Sequence, residues 1–157
     1  MQDTRFLQHA GVARHAWNWG LALCIERIYK GEKTPTGIDL HKLLVKDVKS
    51  ENIWYYDVSK CSPQQALRDL HEAFGKFWKL HKQNKNVSFD KKYLKKFIRQ
   101  WQNKDIKKLT FEHEKCFPRF KKKGQHDSFY LEGNFQVNGK KIKIPKICWI
   151  KTYEQLP

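Results

Sequence analysis

The chain has 157 residues, enough for one domain or two small lobes with a modest core and too few for a single large enzyme core. Its 32 Lys and Arg against 16 Asp and Glu leave a net charge of +16, a self-repulsion that a polyanion relieves if the basic groups share a face. No apolar run reaches the roughly 20 residues of a membrane span, and no signal peptide, lipidation motif or basic amphipathic anchor is evident, so the expected partner is nucleic acid rather than a membrane and the expected compartment the cytoplasm.

From Thr4 to about Lys30, Phe6, Ala10, Ala13, Trp17, Leu21, Ile25 and Ile28 recur at spacings of three and four, which predicts a long amphipathic helix stopped by Gly31. Pro35, Thr36 and Gly37 connect it to a shorter helix from about Asp39 to Lys49, with Leu40, Leu43, Leu44 and Val48 inward and Asp39 as N-cap. Residues 52–60 mix aromatics with turn formers and show no single period. A third helix begins at Ser62-Pro63, a hydroxyl cap followed by proline at the first helical position. Ala66, Leu67, Leu70, Ala73, Phe74, Phe77 and Trp78 give it one wide apolar face, which should pack on the first helix.

Between Lys79 and Lys115 the chain turns strongly basic, with an amphipathic pattern through Phe89, Tyr93, Leu94, Phe97 and Trp101. This stretch reads either as an insertion with a functional cationic side or as a solvated face. After Phe117 the period falls to two. Phe129–Leu131, Phe135–Val137, Lys141–Ile144 and Cys148–Ile150 are strand candidates, with Asn138-Gly139 as a hairpin turn and Pro145 limiting the third strand. The fold class expected is α+β: a helical bundle over residues 1–115 that includes the basic insertion at about 79–115, then a small antiparallel sheet or partial barrel over 116–157.

Cys24, Cys61, Cys116 and Cys148 are widely separated, and the seven histidines fall at no metal-binding spacing, so neither a metal nor a cofactor is expected. Nothing in the pattern suggests a small-molecule substrate. The basic residues carry more information. In Phe117-Pro118-Arg119-Phe120-Lys121-Lys122-Lys123-Gly124, proline and aromatics can anchor the segment while Arg119 offers a bidentate phosphate contact and Lys121, Lys122 and Lys123 act as point charges. Further on, Lys140, Lys141, Lys143, Lys146 and Lys151 alternate with Ile142, Ile144, Ile147 and Ile150, giving a greasy and a basic face. Such a face suits a nucleic-acid backbone, although lysines also protect exposed strand edges. Aromatics make up 14% of the chain; most should fill the core, and some could stack on bases.

Four blocks occur in order: HAGVARHAWNWGLAL (9–23), PQQALRDLHEAFGKFW (63–78), FPRFKKK (117–123) and IKIPKICWIK (142–151). Together they resemble the N-terminal half of TnpB, also called OrfB, the transposon-encoded RNA-guided nuclease related to compact type V CRISPR effectors. The resemblance implies a helical recognition lobe followed by a wedge-like β part, with guide RNA and DNA as partners, pairing supplying most of the sequence specificity and the protein reading shape and a short duplex motif. It also implies that Lys60 and Gln64, at the start of the third helix, face that motif. A glutamine amide at a helix start can indeed offer donor and acceptor to a base edge, and Gln65 is a weaker neighbour. Family members begin with a β-strand before the first helix, which is lacking ahead of Thr4. Their RuvC-like nuclease domain, with its metal-binding acidic residues, should begin near Pro157, so no catalytic residue is expected in this chain. Gly37-Ile38-Asp39-Leu40 imitates a RuvC catalytic strand but lies between helices and lacks the partner carboxylates. The alternatives are an N-terminal piece of an active nuclease and a helix-turn-helix regulator. Asp69 and Glu72 beside Arg68 give the third helix a mixed outer face, unlike a basic recognition helix.

Overall fold

Helix α1 spans Gln2–Tyr29 and α3 spans Cys61–Gln83; the two pack along each other and carry most of the core. The computed structural model describes residues 2–30, 32–83, 116–125 and 127–155. The predicted stop at Gly31 and most of the basic insertion, residues 84–115, lie outside these.

The α1 stripe is wider than its sequence period suggested. Val12, Ala16 and Cys24 are buried along with Ala10, Ala13, Trp17, Leu21, Ile25 and Ile28, because α1 is covered by α3 and also by the segment after Phe117. The Cys24 thiol, desolvated there, is pushed up to about 12. Gly20 sets the approach of the two long helices: a Cβ there would lie 2.7 Å from Leu67 Cδ2 and 3.0 Å from Leu70 Cδ2. On α3, Leu67, Leu70, Phe74 and Phe77 are at most 2% exposed, as the predicted apolar face required.

Helix α2 spans Gly37–Leu43 and continues as a π-helical turn, Leu44–Lys49, burying Leu40, Leu44 and Val48. Its N-cap is Thr36, not Asp39. The Thr36 hydroxyl accepts from Asp39 N (3.2 Å), and the Asp39 carboxylate accepts from Thr36 N (3.4 Å) and Thr36 Oγ1 (2.7 Å), a reciprocal capping box. Those bonds from Thr36 hold the Asp39 carboxyl below its ordinary value. The helix starts two residues early because Gly37, lacking a side chain, lets its first turn lie against α3; a Cβ there would be 3.2 Å from Arg68 Cα.

Residues 53–56 form a short 3-10 helix with Tyr55 inward. The predicted cap of α3 is also displaced. Ser62 does not cap: its hydroxyl donates to the Tyr130 carbonyl (3.2 Å), and the hydroxyl at the helix start is Ser59, which accepts from Cys61 N (3.4 Å). Pro63 therefore sits two positions deeper in the first turn, where a backbone N–H still has no intrahelical partner to lose.

The sheet has three antiparallel strands in the order β1 (Gln136–Asn138), β2 (Lys141–Ile144), β3 (Cys148–Lys151). Asn138 pairs with Lys141, so the hairpin loop is Gly139-Lys140, with Gly139 at φ +56°, one residue later than the sequence suggested. Phe129–Leu131 is not a strand. Phe129 instead packs on Phe6 and His9 (ring centroids 5.8 and 5.2 Å), and its neighbour's carbonyl is taken by Ser62. The α+β class and its order, helices then a small sheet, hold. Among the described residues no helix is long and apolar enough to cross a membrane.

Candidate nucleic-acid interface

Residues 117–125 and 127–130 form a strap laid over the α1–α3 pair. Phe117 is buried edge-on against Phe74 (5.7 Å) and Phe77 (5.1 Å). Next, the Trp17 indole N–H donates to the Arg119 carbonyl (2.8 Å). The Asn18 amide then meets Lys121 twice, donating to its carbonyl (3.0 Å) and accepting from its N–H (2.8 Å). One side chain thus imitates a paired strand and satisfies both backbone groups of Lys121. Asp127 closes the strap by accepting from Gly124 N (3.0 Å) and pairing with Arg14 (2.8 Å).

This anchoring sorts the predicted cations. Lys122 and Lys123 are exposed where the strap turns, adjacent to a residue whose backbone is fixed. Lys121 is half-buried with its ammonium over the Trp17 ring (4.3 Å), and burial lowers its pKa, partly offset by Asp69. It therefore serves the strap's attachment as much as its charge. Arg119 is exposed two residues earlier, its carbonyl held by Trp17.

On the sheet, the pairing of Lys141 with Lys151 and of Lys143 with Trp149 puts Lys141, Lys143, Trp149 and Lys151 on one face. The other carries Val137, Ile142, Ile144 and Ile150. Lys143 and Lys151 thus lie together as predicted, and Lys141, part of the same alternation, joins them. Lys140 and Lys146 do not lie on the strands. Lys140 occupies the hairpin loop, and Lys146 sits in the β2–β3 turn at φ +66°. The sheet is tied to the helical part by Arg5, whose guanidinium donates to the Ile147 carbonyl (3.2 Å) and contacts Cys148 Sγ.

At the start of α3, Lys60 is exposed in the preceding turn, while Gln64 and Gln65 are half-buried. The Gln65 amide donates to Asp69 (2.8 Å), the same carboxylate that Lys121 senses, so this corner of α3 adjoins the strap. Arg68, Asp69 and Glu72 are all exposed, which confirms the mixed outer face. Asp39 belongs to a helix cap. Among the described residues no three His, Cys, Asp or Glu side chains come together as a metal site.

Asn18 and Trp17 were missed as positioning residues. They stand in plain view in the block 9–23, but a pairing across 103 residues leaves no local period to read.

Comparison with known proteins falls in line with the sequence blocks. Residues 1–33 match the family model of a helix-turn-helix domain of OrfB from IS605-type elements. Among its described residues the matched stretch holds a single helix, α1, and the beginning of the connector. The chain is also 26% identical over 153 residues to the putative RNA-guided DNA endonuclease InsQ of Escherichia coli (strain K12), a match covering 96% of this chain and 30% of that relative. The chain thus spans about a third of the length of the relative and is similar to the TnpB/OrfB family through its N-terminal helix and along most of its sequence.

Proposed function

We propose that this chain supplies nucleic-acid recognition for an RNA-guided nuclease of the TnpB type: it holds guide RNA and the duplex beside the DNA target, and it cuts neither by itself. The carrying observation is the strap, whose lysines 122 and 123 are presented from a backbone pinned by Asn18 and Trp17. A fixed row of cations displaces condensed counterions from a phosphate backbone without first having to be ordered. The basic face of Lys141, Lys143 and Lys151 supports the same reading for a second stretch of backbone. Lys60 and Gln64 keep the role of facing the duplex motif, with Gln65 restrained by Asp69.

Binding to a structured RNA and to a DNA duplex, measured by filter retention, tests this. Replacing Lys122 and Lys123 together by alanine should weaken both complexes to a similar extent whatever the sequence, whereas Gln64→Ala should weaken only duplexes bearing a particular short motif. Incubation of purified protein with either nucleic acid and magnesium should leave it intact. Metal-dependent cleavage that survives further purification would refute the non-cutting assignment.

A further inference from the structure

Beside the strap, where α1 faces the 3-10 helix, two open hollows meet at Gly11 and Trp54. The smaller, about 240 Å³, is lined by Gln8, Gly11, Val12, Trp54 and Asp57. The larger, about 500 Å³, is lined by Gly11, Arg14, His15, Asn18, Trp19 and Trp54, and has the size of a small-ligand site.

Trp54 is held in position although 39% exposed. Its indole N–H donates to Asn52 Oδ1 (3.1 Å), and its ring stacks on Tyr55 (4.4 Å, 29°) and meets His15 edge-on (5.1 Å, 89°). His15 and Tyr55 are themselves joined by a 2.8 Å hydrogen bond, with Tyr55 buried. A preset aromatic surface loses little rotamer freedom when something stacks on it. The groove floor is open because of Gly11, where a Cβ would meet nothing within 4 Å except Arg14 Nη2 at 3.9 Å. Its rim belongs to the strap's attachment: Arg14 binds Asp127, and Asn18 holds the backbone of Lys121.

We propose that this groove receives an unpaired base of a bound strand, stacked on Trp54, with its flanking phosphates led toward Lys122 and Lys123. The inference rests on the strap being a phosphate contact. A base is the favoured occupant because the groove joins a fixed aromatic plane to the Gln8 amide and to Arg14 Nη2, the guanidinium nitrogen beside Gly11 that is not the one paired with Asp127, donors and acceptors that suit a base edge in a chain of net charge +16.

The test uses the intact chain and three probes: a short unstructured RNA strand, the same strand with a run of abasic sites, and a blunt RNA duplex. Wild type should prefer the base-bearing strand over the abasic one. Trp54→Ala should weaken the base-bearing strand by about tenfold, with little change for the other two probes and none in salt dependence. Trp54→Phe should retain most of the affinity. Gly11→Leu fills the floor at a site with space for a side chain and no strain, so it should fold normally, as thermal melting would verify, and lose the same increment. Equal wild-type affinity for base-bearing and abasic strands overturns the proposal. So does unchanged binding by both Trp54→Ala and Gly11→Leu while salt dependence persists; the strap would then stand, and the groove would belong to another partner, such as a protein surface. Absence of salt-dependent binding to any probe overturns the strap reading and this one with it.

Discussion

His9 is 1% exposed, and the partners on its two ring nitrogens differ in kind. Nδ1 lies 2.7 Å from the Arg5 carbonyl, which can only accept, so Nδ1 carries the proton and Nε2 accepts from Ser59 N (3.1 Å). The imidazole thereby fixes the chain just ahead of α3. His9→Leu keeps the bulk but strands a buried N–H, and should cost about 1–3 kcal/mol in chemical denaturation. His15 and His41 behave differently. Burial lowers both pKa values from 6.5, with Lys49 and Arg68 adding to the effect at His41. The unfolded chain therefore takes up protons first as pH falls through 6.5, and the stability held by the neutral rings is present above that value and lost below it. Melting should occur at a lower temperature at about pH 5.5 than at about pH 7.5, and replacing both residues by glutamine should shrink the difference.

Among the elements, the strap depends on one side chain more than on any local propensity. Asn18→Ala removes two hydrogen bonds to Lys121, each worth about 0.5–1.5 kcal/mol, and should loosen 119–123 without unfolding α1. Hydrogen exchange at the Lys121 amide should quicken, and affinity for RNA should fall even though no charge has been removed. Unchanged exchange at that amide would mean the strap is held elsewhere. The same elements separate what the sequence disclosed from what it concealed. The long helices and the hairpin were readable because Leu67, Leu70, Phe74 and Phe77, or Ile142 and Ile144, repeat at the period of their own element. The caps were misplaced by two or three residues because Gly37 and Ser62 answer to distant neighbours, Arg68 and Tyr130, rather than to adjacent sequence. Phe129 looked like a strand residue since a partly buried aromatic in a strap and one in a strand share the same pattern.

Over the whole molecule, the chain carries an excess of 16 positive charges. Among the described residues, two basic groups attach at different points of α1: the sheet is tethered near the N-terminal end through Arg5, and the strap is clasped at mid-helix through Trp17 and Asn18. Charge composition alone pointed to a polyanion. Under the proposed function, attachment of both basic groups to one helix would let two separate stretches of nucleic-acid backbone be held at once, as a guide and its target require. The most direct test is the salt dependence of structured-RNA binding, with the logarithm of affinity plotted against the logarithm of salt concentration for wild type and for the Lys122→Ala, Lys123→Ala double variant. The account predicts a steep linear fall for the wild type and a slope shallower by about two for the variant, close to one per phosphate contact removed. A wild-type affinity that does not respond to salt, or a variant slope identical to the wild type, would contradict it.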